Sequence, residues 1–152
     1  MSETGRTEKR LVLRVLAQWR ELRGDRRFPS IEDVKAEAFV SDWPYCFLLE
    51  LPEDGSTPRF LYVGAQLEEE IGRPMAGLPI TECPPDTLLA AALVPHAEAV
   101  SREVPLSLGG EVVSRAGPIL YRSIVLPLSQ DDERIDHLLG AANSRLVVRD
   151  DD

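Results

Sequence analysis

The chain is poor in the residues that most often announce a chemistry. Only two cysteines, Cys46 and Cys83, occur in 152 residues. A small secreted scaffold would use more, so both are read as reduced thiols. The two histidines, His96 and His137, form no pair at ligand spacing with each other or with the cysteines, and a metal motif is missing. No apolar run is long enough to span a bilayer. Near the N-terminus Leu11, Val12 and Leu13 run together only until Arg14, too short for a secretory h-region. The expected compartment is therefore the cytoplasm, with no membrane contact. A G-x-S-x-G elbow is absent too, and no acid–base pair of carboxylates can be assembled, so no catalytic residue is assigned. Asp42 and Glu50 stand alone near one strand, and Glu68–Glu70 and Asp131–Glu133 read as solvated runs.

Charge is present but lopsided. The formal net charge is −9, from 17 basic and 26 acidic side chains. Residues 1–27 hold eight basic and four acidic side chains, and the remainder nine and 22. An acidic body repels phosphate, which argues against nucleic acid as a partner. Length predicts one domain, and the 43% hydrophobic content suits an ordinary soluble core.

The pattern divides the chain into an N-terminal helix segment (1–27), a connector with a short helix (28–42), a core (43–149) and a disordered acidic tail (150–152). Val12, Val15, Leu16, Trp19 and Leu22 fall at helical spacing and predict a helix over about residues 7–23 ending at Gly24. Ser30 and Asp33 form a capping pair for the short helix that follows. "WPYCFLLEL", residues 43–51, reads as a strand covered on both faces, and Asp54-Gly55 turns it into the strand "RFLYV". A short helix follows Gly64 and stops at Gly72. The next begins at Pro85 or Asp86, carries His96 on its apolar face, and is broken by Pro95. Residues 104–115, 119–128 and 135–148 read as three more strands, with Gly140 a bulge or close-packing point and His137 exposed. Short turns make such strands antiparallel neighbours, so the expected fold is α+β, a five-stranded antiparallel sheet with helices over one face.

The segment "RFLYVGAQLEEEIGRPMAGLP" has the strand–glycine–helix order of a phosphate loop. Gly64, Gly72 and Gly77 fit neither G-x-G-x-x-G nor the Walker spacing, and Glu68, Glu69 and Glu70 would repel a phosphate at that helix start. What remains is a space between helices and sheet, expected to be lined by Tyr62, Leu67, Ile71, Met75, Leu88, Leu89, Leu93, Tyr121 and Ser123. Such a space is either packed solid or open with a few polar groups, and sequence does not separate the two.

The same residues resemble a known family. "YVGAQLEEEIGRPMAG", Tyr62 to Gly77, is similar to the PAS-domain segment in which a strand leads to a short helix, a glycine and a second glycine. "YRSIVLPLSQDDERIDHLLGAANS", Tyr121 to Ser144, resembles the last two PAS strands. "WRELRGDRRFPSIEDV" looks like the opening of a group of stand-alone alphaproteobacterial PAS-like proteins. The resemblance runs from about Trp19 to Val148 and implies a sensory or regulatory module, not an enzyme. It implies a small ligand held between helices and sheet, or a homodimer or signalling-protein partner met through Val12, Val15, Leu16, Trp19 and Leu22. A ligand-free interaction adaptor is the alternative, and a small enzyme the third reading. The cofactor is left unassigned: the flavin-photosensor segment Asn-Cys-Arg-Phe is missing, as is a haem or metal motif. The stretch carries no kinase, cyclase or DNA-binding segment, so its output is expected to pass through another protein.

Overall fold

The computed structural model describes the backbone of residues 2–148 and the side chains of residues 10–148. The expected acidic tail, 150–152, lies outside the described residues. Five strands form one antiparallel sheet: β1 (Cys46–Glu50), β2 (Arg59–Val63), β3 (Leu106–Ser114), β4 (Gly117–Leu128) and β5 (His137–Leu146). Their spatial order is β2-β1-β5-β4-β3. The long helix α1 (Ser2–Arg23) precedes the sheet, and α2 (Ala65–Ile71), α3 (Leu88–Leu93) and α4 (His96–Arg102) fill the interval between β2 and β3.

Pleating sorts the strand residues into two faces. Phe47, Leu49, Val63, Tyr121, Ser123, Val125, Gly140 and Ala142 share one through the register of three strand pairs. Cys46, Leu48, Tyr62, Ile124, Leu126, Leu139 and Ala141 share the other. All but Tyr62, which is half-buried, are buried, so both faces are covered. The helices α2 to α4 lie over the first face, as expected. The second is closed by α1, which packs along β4 and β5.

That placement corrects the expectation for the α1 stripe. Val12, Val15 and Trp19 are buried and Leu16 and Leu22 half-buried against the chain's own core. Trp19 Nε1 donates to the carbonyl of Pro127 at 2.9 Å. The apolar side of α1 is therefore occupied within the chain and is not free to seat a partner. Gly24 ends α1 with φ +58, as the sequence predicts. Arg14 ties the helix to the connector through a bidentate pair with Asp42, at 2.6 Å in its shortest arm, and this pairing raises the arginine's pKa further.

Several boundaries shift for local reasons. The connector holds two 3-10 turns, Ile31–Asp33 and Ala36–Phe39, in place of one short helix. The Ser30–Asp33 capping pair is kept, with the Ser30 amide donating to Asp33 at 2.9 Å. Trp43–Tyr45 is a 3-10 turn, because Pro44 has no amide to give a ladder, and β1 starts only at Cys46. Helix α3 starts at Leu88: Thr87 Oγ1 accepts from the Ala90 amide at 3.2 Å and caps it. The break at Pro95 is real and separates α3 from α4. Gly140 is a close-packing point. A methyl placed on it would lie 2.1 Å from Cζ of Phe47, whose ring sits across the glycine.

Candidate functional site

The space between the sheet and helices α2 to α4 is where sequence places a ligand. Leu67, Ile71, Met75, Leu89, Leu93, Tyr121 and Ser123 do converge there, all buried. Leu88 is buried too and borders the open end of the same space. Phe47, Leu49 and Phe60 complete the filling from β1 and β2. Tyr62 does not join them. It pairs with Leu48 and so lies on the other face, where its ring stacks on Trp43 at 4.4 Å between centroids and its hydroxyl donates to the Trp43 carbonyl at 2.8 Å. Desolvation there pushes its pKa up to about 12.

Of the clefts that the described residues form on the surface, three stand out, and none is lined by any of those seven side chains. The first, 390 Å³, lies between α2, the start of α3 and the far end of the sheet, beside Gln66, Glu69, Glu70, Leu88 and Leu146. The second, 370 Å³, lies between α1 and the connector. The third, 510 Å³, is bordered by Pro52, Pro58, His96, Val100 and Ile135. His96 is half-buried and its Nδ1 donates to the Leu93 carbonyl at 2.7 Å, which closes the break between α3 and α4. His137 is not exposed as expected. It is folded in against Asp136, with 2.7 Å between Nδ1 and Oδ1. Among the described residues, no three His, Cys, Asp or Glu side chains gather as metal ligands.

One polar group in the interior stands out. Ser123 Oγ is buried, on the face under the helices, and has no hydrogen-bond partner. A buried hydroxyl left unbonded costs stability, so most are paired.

The carboxylates of α2 turn out to be structural. Glu68 Oε2 accepts from the Met75 amide at 2.9 Å, and Glu70 Oε1 accepts from the Leu88 amide at 2.8 Å. Arg115, at the β3–β4 turn, bonds Asp86 at 3.0 Å and the Ile71 carbonyl at 3.3 Å, so it joins the end of α2 to the start of α3. Sequence analysis missed these roles. Thr87 had a local signal, a threonine before an apolar run. The Glu68 and Glu70 partners lie seven and eighteen residues away, and no local pattern marks them.

Both thiols are held protonated. Cys46 is buried on the α1 face, donates to the Asp42 carbonyl at 3.3 Å, and has its pKa pushed up to about 12, chiefly by desolvation. Burial also raises Cys83, which lies against Thr87 Oγ1 at 3.6 Å.

No protein-family model matches the chain, and no curated protein matches it either. Solved structures do. A light-oxygen-voltage (LOV) domain from work on a flavin analogue superposes with a TM-score of 0.51, over 76% of this chain and 84% of that one, at 11% identity. The fold is that of PAS and LOV domains. Also similar are the PAS domain of Bordetella pertussis BvgS (TM-score 0.49, 10% identity, 74% of this chain and 85% of that one) and a sensory box sensor histidine kinase from Vibrio cholerae (TM-score 0.49, 17% identity, 71% and 88%). At such identities the likeness concerns the fold alone.

Met75, Leu89 and Tyr121 are buried in the interior under the helices. Cys46 faces the opposite side of the sheet, and the Cys83 thiol is turned to the Pro84 carbonyl and Thr87.

Proposed function

We propose that this chain is a PAS-like regulatory module that works through protein–protein contacts, its interior packed by its own side chains. One observation supports this reading: Leu67, Ile71, Met75, Leu89, Leu93, Tyr121 and Ser123 are buried, and none of them lines the clefts that open on the surface. Cytoplasmic residence and a homodimeric or signalling-protein partner belong to the same reading. Two cysteines outside any disulfide agree with that compartment. Burial raises both thiol pKa values, which argues against either cysteine as a nucleophile, since the thiolate is the reactive form.

The test is release of bound material. The purified protein is scanned for visible absorption, denatured, and its supernatant analysed by mass spectrometry. A colourless protein that releases nothing supports the filled interior. A stoichiometric small molecule overturns it in favour of a second reading, which the unbonded Ser123 hydroxyl supports. In that reading a small polar ligand enters under α3 and takes the Ser123 hydrogen bond. Ser123→Ala would then lose the ligand while keeping the fold.

A further inference from the structure

Strand β5 outruns its neighbour on one side. β4 flanks it from His137 to Leu146, but β1 pairs only with His137 to Ala141. The chain entering β1 turns away at Trp43–Tyr45, where Pro44 has no amide to extend the ladder. Beyond Ala141, β5 therefore has a strand on one side and, among the described residues, an open lane on the other. Open edges of this kind are templates for another strand.

Register fixes which main-chain groups face that lane. The Val147 amide donates to the Pro118 carbonyl at 2.9 Å, so odd-numbered residues of β5 bond to β4. On the other side, the Gly64 amide donates to the Cys46 carbonyl at 2.8 Å, which turns Cys46 to β2 and leaves Phe47 to bond Gly140. Both observations make the even-numbered residues of β5 face the β1 side. Ser144 and Leu146 thus direct their amides and carbonyls into the lane. Both residues are exposed, and neither has a main-chain partner there among the described residues.

The lane opens on the 390 Å³ cleft. Ser144 and Leu146 lie on the helix-covered face, opposite Tyr121 and Ile119, and both border that cleft. Leu88, Ile119 and the 52% exposed Leu146 give it an apolar floor, and α2 gives it a wall of Gln66, Glu69 and Glu70. Glu69 is exposed and has no ion-pair partner among the described residues. Glu70 keeps Oε1 on the Leu88 amide, and its Oε2 has no hydrogen-bond partner. Arg145 borders the cleft too, but its register places its side chain on the α1 face. Arg115, at the nearby hairpin turn, is bonded to Asp86. The cleft wall is therefore negative.

Unbonded main-chain groups, an apolar floor and a carboxylate wall suit an extended segment that is apolar and basic along one face. We propose that the end of β5 takes such a segment of a partner protein as an added strand. The main chain of the segment bonds Ser144 and Leu146. An apolar side chain covers Ile119 and Leu146, and a lysine or arginine two residues along, on the same face, meets Glu69 and Glu70. A second copy of this chain fits less well, because its β5 end would offer Ser144, Leu146 and Val148 to the cleft, none of them basic.

The inference rests on the reading of a module that works through protein contacts and names a surface for it. Its failure would leave that reading to its own test, release of bound material, so the two fail separately. The probe is an acetylated heptapeptide amide with threonine on one face and valine, lysine and valine on the other. It is titrated into the full chain and followed by amide NMR shifts. Binding is expected with a Kd between about 10 µM and about 1 mM, the range suited to a small interface, and with the largest shifts at Ser144 and Leu146. Glutamate in place of the peptide lysine, and Glu69→Lys in the protein, should each weaken binding about tenfold or more. N-methylation of the valines and lysine should abolish it, because it removes the amides that bond the lane. Leu146→Pro should do the same without touching a β4–β5 bond. No binding up to about 1 mM, equal binding of the lysine and glutamate peptides, or binding indifferent to N-methylation overturns the proposal. So does a two-chain mass in sedimentation that Leu146→Pro reduces to one, which would give the lane to a second copy.

Discussion

The two faces of the sheet are closed by different means. One takes a single long helix, whose stripe of Leu11, Val12, Val15 and Trp19 meets a flat apolar surface of Cys46, Leu48, Ile124, Leu126, Leu139 and Ala141. Among the described residues its buried polar link is the Trp19 indole on the Pro127 carbonyl. The other takes three short helices, none longer than seven residues. Short helices expose a large share of backbone groups at their ends. Here such groups are met by Thr87, Glu70, His96 and Arg115 from outside the regular ladders. A long helix needs only an apolar stripe, whereas a cover made of short helices needs placed polar side chains. The second kind is also where an unbonded hydroxyl is found, at Ser123.

The comparison can be broken at its strongest points. Trp19→Ala should cost about 4 kcal/mol, from a lost buried indole and its hydrogen bond. Denaturant unfolding measures it, and a loss under about 1 kcal/mol would show that α1 does not close its face. Gly140→Ala should cost about 3 kcal/mol, because the Phe47 ring across it is fully buried and must move. A near-neutral result would mean the helix-covered interior has slack and would favour the ligand reading. Glu70→Ala should cost about 2 kcal/mol by freeing the Leu88 amide at the start of α3, and Glu69→Ala, beside it and exposed, serves as the control. Ser123→Ala should stabilise the ligand-free protein by about 1 kcal/mol, since it removes a hydroxyl that nothing bonds. A destabilisation would show that the hydroxyl has a partner in solution.

The smallest effect concerns acid. Asp33 is held below its ordinary value of 3.8, first by the Ser30 amide and then by Arg26. A carboxylate depressed on folding contributes stability that is present above its unfolded value and lost as pH falls through the folded one. Stability should therefore drop below about pH 3.8, and Asp33→Asn should flatten that part of an acid titration. An unchanged slope would place the acid sensitivity elsewhere, with Asp54 and Asp131 the next groups to replace, both also depressed.

Features set by neighbours in sequence were legible. Gly72 ends α2 with φ +86, Pro95 breaks the helix before β3, and the turn at Asp54-Gly55 joins β1 to β2. Each depends on one residue's own conformational limits. Tyr62 was misplaced because β1 is apolar on both sides and carries no alternation from which to choose the faces of its partner strand. The α1 stripe was legible as a stripe, but an amphipathic helix looks the same whether its partner is another chain or its own sheet.

The sequence by itself determined the order of elements, the antiparallel connection of the strands and the fold class, because these follow from periodicity and short turns. The tertiary structure alone decided which face α1 covers and which carboxylate meets the start of α3. Those outcomes join residues up to about a hundred positions apart, as with Trp19 and Pro127, and no local pattern encodes a contact at that range.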